Sequence, residues 1–303
     1  MEPQRPPLIF NQRRSRLRRE RAGPRFAACD FLHRRAMADV VDRLETVKRD
    51  FPYAAFCGAG GLASMLTPAC GVGARIEIDA ARARLDPQAS ARRDVAGAIV
   101  AEEERLPFAP RRLDLFVSLF TLHGADDLIG ALAQIRASLK PDGLFVGVLF
   151  GEGTLARLRR ALYQAESELT GGVAARIAPF AAVQDAGRAL SRAGFALPVA
   201  DVDKVTVRYS NPLKLIADLR GMGEGRALAS PAPPLRRDVV ARAMALFEAG
   251  GGEETFDVIY LTGWAPHESQ QKPLRPGSAK ASLEAAVKGG APVKGGAADD
   301  GAP

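Results

Sequence analysis

Short apolar runs alternate with helical periodicities along most of this chain. Tyr53-Ala54-Ala55-Phe56-Cys57 is the first run and predicts a buried strand. Gly58, Gly60 and Gly61 follow at once, and Leu62, Met65 and Leu66 repeat at helical spacing. Arg75-Ile76-Glu77-Ile78 predicts a second strand, which Asp79 closes. Residues 95–100, 113–120 and 144–150 are three further strand runs, apolar on both faces. Leu128, Leu132, Ile135 and Leu139 fall on one face of a helix, which Lys140-Pro141-Asp142-Gly143 breaks. Leu155, Leu158, Leu162, Ala165 and Leu169 mark the next helix, stopped by Gly171-Gly172.

The same pattern continues to the last third of the chain. Residues 179–193 predict a helix, 202–209 a strand by alternation, and Asn211-Pro212 the start of a helix running to Arg220. A glycine loop at 221–225 and a proline linker at 231–234 precede a helix at 239–249 and a last strand at 256–264. At the other end, residues 11–21 predict a short polar helix. Residues 26–47 predict a longer one with Phe31, Leu32, Val40, Val41, Leu44 and Val47 on its apolar face. Strands that alternate with helices predict an α/β fold with a largely parallel sheet covered on both sides. No internal repeat is present. Residues 266–303 hold no aromatic side chain and are predicted to be disordered, as are residues 1–7. The predicted organisation is a basic arm at 1–25, a domain at 26–265 with helical additions within 152–252, and the tail.

Strand, glycine turn, helix, strand and acid in that order make a nucleotide-type unit. The helix start offers free N–H groups, and an acid at the end of the second strand accepts both hydrogen bonds of a ribose diol. Gly58-Ala59-Gly60 lacks the spacing of a dinucleotide fingerprint and the lysine of a phosphate loop, so a phosphate cradle is not expected. A glycine turn of no special function in any α/β fold is the equal alternative at this point.

Composition narrows the classes. The 303 residues are 47% hydrophobic, enough for a sizeable core. No apolar run is long enough to span a membrane, and the arginine-rich start has no apolar segment after it. Cys29, Cys57 and Cys70 have no metal spacing and suggest reduced thiols. A cytoplasmic location is therefore expected. The net charge of +7 is concentrated at the front, where the first 25 residues hold eight arginines against two glutamates. Such an arm suits a solvated helix first, then an acidic protein partner, with peripheral contact to anionic lipid as a further reading. No aromatics interleave it, so no nucleic-acid partner is expected.

Residues 102–155 contain Leu106-Pro107-Phe108 after three acids, a strand with Asp114, and Leu139-Lys140-Pro141-Asp142-Gly143-Leu144 before the next strand. In this order they resemble class I S-adenosylmethionine-dependent methyltransferases. Residues 10–22, 30–32, 176–195 and 218–228 narrow the resemblance to bacterial relatives of the mitochondrial respiratory complex I assembly factor 5 family. The malonyl-carrier-protein methyltransferases of biotin synthesis are more distantly similar. The resemblance covers residues 8 to 276 by eye. It implies a Rossmann-like sheet of seven mostly parallel strands ending in an antiparallel edge, with S-adenosylmethionine as cofactor. It also implies a protein substrate among the subunits of complex I, modified by methyl transfer or by arginine hydroxylation.

Carried over by position, Gly58 and Gly60 would face the methionine part of the cofactor. Asp79 would hold the ribose hydroxyls and Glu102 would lie by the adenine amine. Ser118 and Leu119 would end the fourth strand beside the sulfonium. No metal is implied. The family motif Asp-Leu-Gly-x-Gly-x-Gly reads Ala54-Ala55-Phe56-Cys57-Gly58-Ala59-Gly60 here. The acid is lost, and Phe56 replaces a glycine where it could shrink the pocket, so a non-catalytic assembly chaperone is the alternative reading. His123 is a candidate base or a structural histidine at a strand end. Arg220 and Glu224 in Arg220-Gly221-Met222-Gly223-Glu224 suit either a helix terminus or a loop over the site.

Overall fold

The computed structural model describes residues 8–85 and 95–271, of which those up to His267 belong to one compact unit. Seven strands form its centre: β1 (Phe51–Cys57), β2 (Val72–Asp79), β3 (Val95–Val100), β4 (Leu113–Leu119), β5 (Leu139–Phe150), β6 (Ala196–Arg208) and β7 (Glu253–Trp264). Their order is β3-β2-β1-β4-β5-β7-β6. The first five run parallel, and β7 enters antiparallel between β5 and β6. The predicted α/β, Rossmann-like class I methyltransferase sheet is thus present, with the expected antiparallel edge. The chain turns back between β1 and β4, where open α/β sheets bind ligands at the carboxyl ends of their strands.

Alternation along the strands feeds two cores. On one face α2 (Phe31–Val47), α4 (Ala156–Thr170), α6 (Pro212–Met222) and α7 (Arg237–Ala249) pack over Ala54, Phe56, Leu115, Val117 and Val146. On the other face α3 (Leu128–Ser138) and α5 (Val183–Arg192) cover Ala55, Cys57, Phe116, Phe145 and Leu149. At ~25 cal/mol per Å², burying each such side chain contributes ~1.5–3 kcal/mol.

Several boundaries differ from the sequence expectation. The helix expected from residue 26 begins at Phe31, because Gly23–Ala28 forms a tight 3₁₀ turn with Pro24 in its first turn. The helical spacing of Leu62, Met65 and Leu66 yields one 3₁₀ turn, Leu62–Met65, cut short by Pro68. Leu139, expected on the helix face, begins β5, and Lys140-Pro141-Asp142-Gly143, expected as a turn before a strand from residue 144, lies inside β5 as an irregularity, with Asp142 at φ 64 and a register shift opposite Leu113 and Leu115. The 202–209 strand is longer, Ala196–Arg208. Its solvent face reads as polar, so only the pairing with β7 reveals its first half. The region 152–252 therefore contributes the edge strand as well as helices. The tails expected to be disordered, residues 1–7 and the tail from 272 onward, lie outside the described residues.

The basic arm is not a solvated helix throughout. Its helix, α1 (Gln12–Ala22), starts with Asn11 accepting a hydrogen bond from the Arg14 amide. It docks through Arg19 and Ala22, its only buried residues, while Leu17 stays exposed. A buried arginine is what the structure shows.

Candidate functional site

The site lies at the carboxyl edge of the sheet. Gly58 follows β1 at φ +74, and a Cβ there would collide with the Leu119 carbonyl oxygen and Thr121. Only glycine lets β1 turn this close to the end of β4. Gly60 is also left-handed, at φ +56, and a Cβ on it would lie 2.6 Å from Phe26 Cε1. Asp79 ends β2 with its side chain 1% exposed. Its Oδ1 accepts the Ala81 amide at 2.8 Å, and its Oδ2 is buried without a hydrogen-bond partner. Ser118 is buried, with its hydroxyl 2.7 Å from that of Thr121, and Leu119 packs into the core. Glu102, just past β3, lines a cavity of about 590 Å³.

Gly58, Gly60, Asp79, Glu102, Ser118 and Leu119 thus gather at the ends of four neighbouring strands. Of these, Glu102 is the one that lines the large cavity. Phe56 does not shrink this space. It points to the opposite side from Ala55 and Cys57, into the core beneath α2. The lost acid has no polar successor: Ala54 is buried in that same core.

What stands against Asp79 is a cation that the sequence signal did not single out. The Arg19 guanidinium is held by a hydrogen bond to the Phe120 carbonyl and lies 3.6 Å from Asp79 Oδ2, 3.7 Å from Glu103 Oε1 and 3.9 Å from Glu224 Oε1. Burial alone would lower its pKa, but Asp79, then Glu103 and Glu224, hold it above the usual value. Burial raises the Glu103 carboxyl, against the pull of Arg19. Glu224 resists its own burial and sits below the usual range, because His123 and Arg19 face it. Glu102-Glu103-Glu104 therefore places Glu103 deepest, whereas the carry-over by position chose Glu102.

A second arginine completes the arrangement. Arg84 stacks on Phe26 with Cζ 3.1 Å from the ring centroid, and its Nε lies 3.9 Å from Asp79 Oδ2. Burial, then Arg19, lowers its pKa to about 9.

The Arg220–Glu224 segment does both things the sequence allowed. Gly223 terminates α6 at φ 88, and its amide reaches the Arg220 and Leu219 carbonyls. The turn sends Glu224 inward, where its Oε2 is 3.0 Å from His123 Nε2. Arg220 stays outside and lines the cavity. His123 also lines the cavity, packed against Phe150 and Phe180. It is the one candidate base that reaches the cavity and carries a carboxylate partner. His33 is enclosed by Phe26 and Phe120, and burial holds it neutral, well below its usual pKa. Burial likewise keeps the Cys57 thiol protonated, well above its usual value. Asp127 caps α3, whereas Asp126 accepts the amides of Ile9 and Phe10 and ties the N-terminal segment to the start of that helix.

Asp79 fits the ribose-binding role in one respect: it is a buried acceptor at the end of the second strand with one oxygen unused. Arg19 of α1 and Arg84, from the turn after β2, both stand against that oxygen.

With this geometry in place, comparison with known proteins is informative. Residues 55–147 match the family described as a methyltransferase domain. The arginine-hydroxylase NDUFAF5 of Danio rerio is 38% identical over 263 residues, covering 84% of this chain and 81% of that protein. The Homo sapiens protein is 37% identical, over 84% of this chain and 75% of its own. The malonyl-[acyl-carrier protein] O-methyltransferase of a Methylovorus species is 31% identical, over 84% of this chain and 89% of its own. Among solved structures, YcgJ of Bacillus subtilis matches with a TM-score of 0.51 at 12% identity. The match covers 75% of this chain and 98% of that one, and shows the shared fold alone.

Proposed function

Because this chain belongs to the S-adenosylmethionine-dependent methyltransferase family that includes arginine-hydroxylase NDUFAF5, we propose that it modifies an arginine of a protein, in the assembly of respiratory complex I, by methyl transfer or hydroxylation. One observation carries the choice of acceptor. The site holds a guanidinium, that of Arg19, among Asp79, Glu103, Glu224 and the Phe120 carbonyl. Three carboxylates around one buried spot favour a cationic group there and disfavour an anionic one. The malonyl-carrier reading is weaker because the relative that carries that name is 31% identical, against 38% for the arginine-hydroxylase.

S-adenosylmethionine, when bound, supplies an electrophilic methyl group. In our reading Asp79 holds the ribose hydroxyls, Glu102 lies toward the adenine, and the turn at Gly58 and Gly60 admits the methionine part. Ser118 and Leu119 close the end of the fourth strand. Such chemistry depends on alignment of the two reactants. His123, hydrogen-bonded to Glu224, is placed to receive a proton from an acceptor nitrogen, with Glu224 stabilising the imidazolium. An assembly role without catalysis is the second reading. The crowding of Asp79 by Arg19 and Arg84 is what favours it.

The test is a reaction of the purified protein with methyl-labelled S-adenosylmethionine and two acceptor sets, arginine-bearing peptides of complex I subunits and malonyl thioesters. Mass spectrometry separates added methyl from added oxygen on arginine. Arginine modification supports the proposal. Malonyl ester formation overturns it, and no product from either set, with assembly still dependent on the protein, supports the chaperone reading.

A further inference from the structure

The cavity that reaches the site also extends away from the sheet edge. Away from the sheet edge it runs between α4, α6 and α7, where Leu155, Leu158, Leu162, Ile216, Val240 and Met244 line it. At about 590 Å³ it lies within the range of roughly 300–1,000 Å³ that small-molecule sites occupy. Its walls there are aliphatic, and nothing polar in them would fix a sugar or a peptide backbone.

Arginines stand on the same cavity. Arg18 of α1, Arg220 of α6 and Arg226 of the following loop all line it. An adjoining pocket of about 870 Å³ is lined by Arg14, Arg18, Arg21 and Arg220. The Arg18 guanidinium packs against Gly225, in space that a side chain at that position would fill. Burial, followed by the charges of Arg14, Arg226, Arg21 and Arg220, lowers the Arg18 pKa, and no carboxylate counters them. The guanidinium groups of Arg18 and Arg220 make no hydrogen bond or ion pair among the described residues. Of the three carboxylates on the cavity, Glu103 and Glu224 already face Arg19, Glu224 also faces His123, and Glu102 lies at the sheet end of the cavity, just past β3. Like charges held together at some cost to the fold are relieved when an anion enters between them.

We propose that this cavity binds an anionic single-chain amphiphile, with its acyl chain among the aliphatic residues of α4, α6 and α7 and its phosphate or carboxylate on Arg18 and Arg220. The inference goes beyond the proposed modification and does not rest on it. The ligand would bridge α1 and α6, and α1 carries Arg19. Occupancy would therefore hold the arm in place over the site.

Calorimetric titration of the full chain with decyl phosphate below its micelle concentration tests this. Inorganic phosphate and decyl maltoside serve as head-only and chain-only probes. Decyl phosphate is expected to bind about tenfold or more tighter than either, because it alone uses both halves of the site. Arg18→Gln with Arg220→Gln should remove about tenfold from decyl phosphate and leave decyl maltoside unchanged. Met244→Trp should weaken decyl phosphate and spare inorganic phosphate. The arginine variants sit on exposed or half-buried positions, so an unchanged thermal midpoint confirms their fold. Inorganic phosphate as tight as decyl phosphate would reduce the site to free anion binding and overturn the proposal. Equal binding of decyl phosphate and decyl maltoside would exclude the arginines and overturn it too. Binding to vesicles of anionic phospholipid without binding of decyl phosphate would place the cationic face on a membrane surface and likewise sink the cavity assignment.

Discussion

Replacing Arg19 by methionine removes one buried cation and leaves three carboxylates facing one another. Arg19 is enclosed, with 7% of its side chain exposed, and its partners at 3.6, 3.7 and 3.9 Å are exposed by 1%, 15% and 16%. Methionine keeps most of the aliphatic stem, so little packing is lost. Breaking a buried pair from one side costs about 3–5 kcal/mol, because the remaining charge is left in a poor solvent. For a domain of this size that corresponds to a fall in Tm of roughly 6–20 °C. The pH dependence has a definite sign. Without Arg19 the Glu103 carboxyl, which burial already raises, loses the cation that opposes that rise, so it lies further above its unfolded value in the folded state. That penalty is full at neutral pH and fades as pH falls toward the ordinary glutamate pKa of about 4.3. The deficit of Arg19→Met should therefore shrink from pH 8 to pH 5. Chemical denaturation at several pH values measures it, with Arg13→Met, an exposed position on the same helix, as control. A second arm uses binding. S-adenosylmethionine is a sulfonium cation and S-adenosylhomocysteine is not, so the uncovered carboxylates should increase the preference for the former. The reasoning is refuted if Arg19→Met costs no more than Arg13→Met, or if its deficit grows on acidification.

Three further outcomes follow from the same geometry. His33 has a folded pKa well below 6.5, so the unfolded chain takes up a proton that the folded one refuses. Its contribution is present above about pH 6.5 and is lost as pH falls, by up to about 1.4 kcal/mol per unit; His33→Phe should flatten that slope in pH-dependent denaturation. Gly58→Ala meets both a positive φ and the Leu119 carbonyl. A loss of more than about 1 kcal/mol is expected in chemical denaturation, with binding of the cofactor reduced. Asp79→Asn keeps the acceptor Oδ1 for the Ala81 amide but removes the charge. Calorimetry should show S-adenosylmethionine affinity down about tenfold or more, whereas unchanged affinity would remove Asp79 from the ribose site.

The carboxyl-edge residues were legible because their signal is local. Gly58 and Gly60 announce a turn that side chains cannot make, and the run from Arg75 to Asp79 shows a strand with an acid at its end. Strand runs and helical faces fix the element order, and the Leu139–Leu144 motif ties that order to a family. The sequence could not place Phe56. It alternates with Ala55 and Cys57, and the face that receives Phe56 is set only when α2 packs over it.

Arg19 is the sharper case. In a string of arginines nothing local separates it from Arg18 or Arg16, since one residue along α1 turns a side chain by about 100°. Its role is decided by three carboxylates from β2, the segment after β3, and the end of α6, at positions 60 to 205 residues away. The same step of one residue sends Arg18 toward Gly225 and the cavity. Local pattern thus determined the strands, the turns and the family. Which arginine is buried, which glutamate is deepest, and where the cavity meets charge depend on long-range packing, which alone brings opposite charges from distant segments out of water together.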